Sequence, residues 1–490
     1  MNLTTQGINV ENWQFDNRWY RQLKGSYSEV APSAVDNPRL VAYSSATATL
    51  LDLPKQADED ALCRYFSGQQ ALPGAQPLAQ VYAGHQFGQY VPQLGDGRGL
   101  LLGQICTQQA QLWDLHLKGA GQTPYSRFGD GRAVLRSSIR EFLASEALQA
   151  LGIPTTRALC VIGSDTPVRR ETMESAATLL RVAESHLRFG HFEYFFHRNE
   201  HEKLKALADY ALEHHFAECT DSEAPYLDMF IQVVERTAQL IAQWQAVGFT
   251  HGVMNTDNMS LLGLTIDYGP YGFMDGYNAG YVPNHSDHGG RYSYAQQPSI
   301  GYWNLQCLAL ALSPLLTKAQ SEQALARYEP ALLGRYSQLM AAKFGLAEIQ
   351  QNDGEMLNGL FTLMQAEGQD FTRTLRQLSQ QRVDDARTPM EDDWVDRDGF
   401  RAWWQAYRQR RLAQGDSDHW QQHMLMTNPN YVLRNYLAQQ VIEQAEQGDY
   451  SGIAQLQKVL HQPFAELAEF EQYAALPPDW SKQLEISCSS

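Results

Sequence analysis

Between Gly248 and Gly269 the chain reads GFTHGVMNTDNMSLLGLTIDYG. This segment packs His251, Asp257, Asn258 and Asp267 around a short apolar run and ends in Asp-Tyr-Gly. Its flanks set the frame. From about 81 to 190 the pattern is β-rich. GDGRGLLLGQICTQQAQLWDLHLKG reads as a glycine loop, a strand from Leu100 to Cys106, a turn, and a strand from Gln111 to Lys118. Ala133 to Leu151 reads as a helix, with Leu135, Ile139, Phe142, Leu143, Ala147 and Ala150 on one face. Gly152 and Pro154 are its stop signals. Thr155 to Ile162 and Ala177 to Val182 are strand-like. From about 190 the chain turns helical. His201 to Phe216, Tyr226 to Ala246, Tyr302 to Leu316 and most of 317–475 carry helical patterns. The expected fold is α+β and two-lobed. Residues 81–190 form a β-rich N-lobe and 191–490 a helical C-lobe. Residues 1–80 read as an irregular extension with short helices such as Asp58 to Phe66, its aromatics Trp13, Phe15, Trp19 and Tyr20 packed on the body.

The chemistry of the segment is specific. Protein kinases write HRDLxxxN, a strand pair, then DFG, where the Asn and the second Asp hold magnesium on a nucleotide. Counted from His251, the metal positions fall on Asn258 and Asp267. The position of the kinase catalytic Asp falls on Val253. An Asp stands instead at 257, directly before the metal Asn. The pattern predicts nucleotide-and-metal chemistry that departs from ordinary phosphoryl transfer.

Other residues complete a nucleotide site. Gly95-Asp96-Gly97-Arg98-Gly99 precedes a strand, where glycines admit close approach to a phosphate, though a plain β-turn explains them too. GDGR recurs from Gly129 to Arg132, which is similar loop chemistry and not a solenoid repeat. Lys118 ends its strand before a glycine-rich loop, which favours a phosphate partner over a solvated edge charge. Such a lysine needs a carboxylate. Glu141 and Glu146 both lie on the next helix, and geometry alone does not choose between them; the small polar flank of Ser137 and Ser145 favours Glu141. Arg181, inside the apolar run TLLRVA, and Arg188 require anionic partners, either a structural carboxylate or a polyphosphate.

Bulk properties exclude several classes. A formal charge of −17 argues against a general binder of nucleic acid or anionic membrane. The N-terminus has no secretory pattern, and no apolar run is long enough to span a bilayer. The six cysteines show no CxxC or metal spacing, which fits a reducing cytoplasm. Cys488, in the polar tail ISCSS, is either a chance surface thiol or a redox group. His285, Asp287 and His288 fit no standard zinc spacing and read as a hydrogen-bonded loop. Trp403 and Trp404, with Arg408, Arg410 and Arg411, read as a packed helix with a solvated basic face.

Taken together, YAGHQFGQYVPQLGDGRG, LHLKGAGQTPYSRFGDGRAVLRSSIREF, GIPTTRAL, LLRVAESHLRFGHFE and THGVMNTDNMS–TIDYGP resemble the selenoprotein O family, called YdiU in bacteria. The resemblance runs over most of the chain. It implies a kinase-like pseudokinase fold that transfers AMP from ATP to Ser, Thr or Tyr hydroxyls of proteins, with ATP flipped so that its α-phosphorus faces the acceptor. By motif, Gly95, Gly97, Arg98, Lys118, Asp130 and Gly131 would line the nucleotide, and Lys118 would pair with Glu141. Arg181 and Arg188 would hold the distal phosphates. Asn258 and Asp267 would bind Mg²⁺, with Mn²⁺ the alternative. Asp257 would accept the proton of the incoming hydroxyl. The clients would be redox-linked proteins. Some bacterial members carry a second cysteine just before NHSDH that pairs with the C-terminal one; here that place reads Tyr281-Val282-Pro283. The rival readings are a phosphotransferase, a uridylyl transferase, and a non-catalytic nucleotide-binding scaffold, the last favoured by Val253.

Overall fold

A computed structural model describes residues 9–486. Its sheet is built by the alternation seen in the sequence. In the strand Leu112–Lys118, Leu115 and Leu117 turn to one face, while Asp114, His116 and Lys118 turn to the other. The apolar face joins Leu100, Leu102, Leu159, Leu180 and Val182 in one buried cluster. The polar face looks toward the helix Leu135–Ala150 and the cleft. Neighbouring strands run antiparallel in the order Tyr27–Glu29, Leu78–Gln80, Gly99–Cys106, Leu112–Lys118, Met173–Ala183, Arg157–Arg169, Arg39–Tyr43.

Residues 9–80 differ from the irregular segment expected of them. Tyr27–Glu29, Arg39–Tyr43 and Leu78–Gln80 are hydrogen-bonded into the sheet, and Gln14–Phe15 pairs with its strand Gly99–Cys106. Short strands of three to five residues carry too little alternation to be read as such. The expected helix near Asp58 is present as Glu59–Phe66, capped by the Asp58 side chain on Ala61 N–H at 3.1 Å. With Trp13 and Leu51 it covers the apolar face of the sheet.

The helix Leu135–Ala150 is buried on every side that matters. Ile139, Phe142, Leu143 and Ala147 pack into the main core, and Glu141 and Glu146 are each 1% exposed. Behind it the C-lobe is helical, led by Pro225–Val247, whose end is set by Gly248 in the left-handed region (φ +69°). Phe249–Thr250 and Gly272–Phe273 then pair as a two-stranded ribbon, with the polar segment looping out between them. In the distal helices Trp403 and Trp404 are buried as expected. The basic face is not simply solvated: Arg411 is buried and Arg410 pairs with Asp353 at 2.9 Å. No helix among the described residues is long and apolar enough to cross a membrane. The described chain ends beside the 284–288 loop, where His285 N–H donates to Ile486 O at 3.1 Å. Cys488 lies outside the described residues.

Candidate active site

The polar segment is pinned by side chains from outside it. Gln297 accepts from His251 N–H at 2.9 Å, and Asn304 donates to Met254 O at 2.9 Å. His251 accepts from Val253 N–H through Nδ1 and so donates through Nε2 to Ile266 O at 2.8 Å, bridging the two limbs of the loop. Burial lowers its pKa and keeps it neutral for this role. His251 is therefore a brace. One turn of 3-10 helix, Thr256–Asn258, carries Asp257 and Asn258. Asn258 Nδ2 donates to Val253 O at 3.1 Å.

Val253, Asp257, Asn258 and Asp267 line one cleft of about 680 Å³. The same cleft is lined by Gly95, Gly97, Arg98, Lys118, Asp130, Gly131, Arg181 and Arg188, which stand on four other segments. The structure thus brings together every cleft residue singled out in the sequence. Both GDGR segments meet there. Thr123 Oγ1 donates to Asp96 O at 2.7 Å and Ser126 donates to Gly97 O, so the second glycine loop is tied to the first. Asp130 pairs with Arg170 at 2.7 Å.

A buried ionic network forms the floor. Lys118 Nζ donates to Glu141 Oε2 at 2.6 Å. Arg181 donates to both oxygens of Glu141 and reaches Asp267 Oδ1 at 2.8 Å. Arg188 donates to the other Asp267 oxygen and to Asp257 O at 2.7 Å. Burial opposes ionisation of Glu141, but Arg181 and Lys118 outweigh it and hold the carboxyl at about 2. Burial likewise opposes ionisation of Asp267; Arg188 and Arg181 hold it well below the usual range. Burial lowers Lys118 to about 8 against the pull of Glu141. Seven cations line the cleft, Arg98, Lys118, Arg127, Arg132, Arg170, Arg181 and Arg188, against four carboxylates, Asp96, Asp130, Asp257 and Asp267, with Glu141 behind Lys118. That surplus suits a polyphosphate. Glu146 points elsewhere, to Ser44, Arg157, Gln457 and His461, tying the helix to the C-terminal Ser451–Leu460.

Asp257 is set apart electrostatically. Burial raises its pKa to about 7, with Arg188 opposing, and its Oδ1 has no hydrogen-bond partner. Asn258 and Asp267 both line the cleft and would offer Mg²⁺ hard oxygen donors, one amide and one carboxylate, the latter's oxygens being held by Arg181 and Arg188.

Sequence reasoning missed the hairpin that roofs Asp257. Gly84–Gln86 pairs with Gln89–Val91. His85 N–H donates to Thr256 Oγ1 at 2.7 Å, Phe87 N–H to Asn255 Oδ1 at 3.3 Å, and Gln86 Nε2 to Asp257 Oδ2 at 3.4 Å. Phe87, with φ +50° and 41% exposed, lines the cleft beside Tyr292. A Cβ on Gly84 would stand 2.5 Å from Asp257 Oδ1. Gly84→Ala is therefore expected to displace the hairpin and cut turnover by roughly 10²-fold or more with the melting transition little changed. Parallel activity and thermal-melt measurements check this, and wild-type turnover would refute the contact.

The description "protein adenylyltransferase SelO" belongs to the family model that matches residues 9–461. A protein nucleotidyltransferase YdiU of Pseudomonas aeruginosa PAO1 is 54% identical over 98% of this chain and 99% of its own length. The YdiU of Erwinia tasmaniensis is 53% identical over 97% of this chain and its whole length, and that of Yersinia pseudotuberculosis 52% over 97% and 99%. The site and these matches define a nucleotidyltransferase for which ATP is the implied substrate. The chain belongs to the SelO family.

Proposed function

We propose that the chain transfers AMP from ATP to Ser, Thr or Tyr hydroxyls of proteins and releases pyrophosphate. The observation that carries this reading is the carboxylate geography of the cleft. Val253 occupies the kinase base position, while Asp257, the one cleft carboxylate with a raised pKa, lies under the hairpin. In the reaction, the acceptor oxygen bonds to the α-phosphorus in line with the departing pyrophosphate oxygen. The hydroxyl proton goes to Asp257, whose raised pKa suits a base at neutral pH. Arg181 and Arg188 hold the distal phosphates and Lys118, oriented by Glu141, meets the phosphate chain. Asp130 and Gly131, with Gly95, Gly97 and Arg98, wall the nucleotide. Mg²⁺ or Mn²⁺, held by Asn258 and Asp267, offsets phosphate charge when bound. The setting is a reducing cytoplasm, in keeping with the unpaired Cys63, Cys106, Cys160, Cys219 and Cys307, and the redox-linked clients are those the family resemblance implies. Cys488 is the redox candidate of the tail.

Parallel incubation of protein acceptor with α-labelled and γ-labelled ATP tests the reading. The expected result is α-label on protein with pyrophosphate released. γ-Label with ADP release would make the chain a phosphotransferase. ATP binding without label uptake would leave a scaffold, and preferential uptake from α-labelled UTP a uridylyl transferase.

A further inference from the structure

A second cluster of chemically competent side chains stands outside the cleft. His85 is on the hairpin strand Gly84–Gln86, Glu193 on the helix Phe189–His197, and Cys307 on the helix Gln297–Ala311. None of the three lines the nucleotide cleft. One donor atom from each lies within 4.8 Å of the others. His85 Nδ1 and Glu193 Oε1 are 2.9 Å apart. We propose that His85, Glu193 and Cys307 form a three-ligand site for a zinc-class divalent cation, with a fourth position open to solvent.

Three arguments converge. The donors are imidazole, carboxylate and thiolate, the mixed set that zinc takes and that magnesium does not. Tetrahedral zinc spaces its donors roughly 3.3–3.8 Å apart, so closing this cluster takes a shift of about 1 Å. The outer partners that metal ligands need are in place. Glu193 is 1% exposed, and its other oxygen accepts from Thr256 Oγ1 at 2.7 Å. The His85 ring is held edge-on by Trp303 at 5.3 Å. His85 and Cys307 are partly exposed, which gives the ion an entry and a water position.

Binding is proton-coupled. Burial, then the charge of Glu193, pushes the Cys307 thiol up to about 12, so the free site keeps its proton. The cation displaces that proton to solvent, and the imidazole proton moves to Nε2. Thiolate and carboxylate then neutralise the ion. The site ties the hairpin to two helices behind Thr256, so its occupancy stiffens the hairpin that covers Asp257.

The test uses the full chain, stripped by chelator, dialysed and titrated with Co²⁺ alone. The expected result is one equivalent bound, with a near-ultraviolet thiolate-to-cobalt band and tetrahedral visible bands. Zn²⁺ displaces the cobalt and excess Mg²⁺ does not. Cys307→Ser loses the thiolate band, and Thr256→Val weakens Co²⁺ affinity about 10–100-fold. In the unmutated chain, Zn²⁺ slows alkylation of Cys307 as mapped by mass spectrometry, which needs no variant to fold. Absence of both the band and the protection, or a thiolate band undiminished in a folded Cys307→Ser, would overturn the site.

Discussion

Asp267→Ala is expected to reduce nucleotidyl transfer by roughly 10²–10³-fold, the scale for losing one preorganised electrostatic group. The carboxylate has two duties in the cleft. It is the counter-ion that holds Arg181 and Arg188 in place, and in the proposed reaction it would share a divalent cation with Asn258. Its loss frees Arg188 from that pair, while Arg181 keeps Glu141. The remaining cations still attract triphosphate, so ATP affinity falls less than turnover does. The side chain is 24% exposed, which limits damage to the fold. Backbone strain is a separate matter, because Asp267 sits at φ +57°, where alanine costs about 1–2 kcal/mol. Asp267→Asn tolerates that backbone and isolates the charge. Uptake of α-label, ATP binding and thermal melts on both variants make the comparison. Full transfer by either variant, or by the parent in EDTA, would remove the metal assignment.

Much of this was legible before any coordinates. The long elements followed from periodicity: the strand Gly99–Cys106 and the strand that ends at Lys118, the helix ending before Gly152, and the helix stopped by Gly248. Of the cleft residues, Asn258 and Asp267 followed from spacing in a contiguous motif, Lys118, Arg181 and Arg188 from charges set in apolar strands and their ends, and Asp130 and Gly131 only from the family resemblance. Two things were not legible. Strands of three residues near Tyr27 and Leu78 leave no period to read; only their partners in the sheet define them. The hairpin over Asp257 is fixed by hydrogen bonds to Asn255 and Thr256, some 170 positions away, and no local signal in YAGHQFGQY announces that contact. Its Gly84 is needed for a neighbour, Asp257, while Gly88 at φ +82° makes the turn.

Glu141→Ala is expected to cost about 3–5 kcal/mol of stability, the scale for breaking a buried ion pair from one side. Lys118 and Arg181, both almost wholly buried, would be left without their shared carboxylate. Lys118, already lowered to about 8 by burial, would lose the charge that opposes that shift and so its grip on phosphate. Both stability and ATP affinity should therefore fall. Glu146→Ala is the informative companion. It sits five residues further along the same helix on another face, equally buried, and it too holds an arginine. Its partners Arg157, Gln457 and His461 lie away from the cleft. That variant should lose stability on a similar scale, yet bind ATP almost normally in the protein that remains folded. Chemical denaturation gives the first quantity and calorimetric titration with ATP the second. The sequence could not rank the two glutamates because burial on both faces of the helix makes them look alike. Equal loss of ATP affinity in the two variants would mean that the Lys118 pair is a packing device and not a part of the nucleotide site.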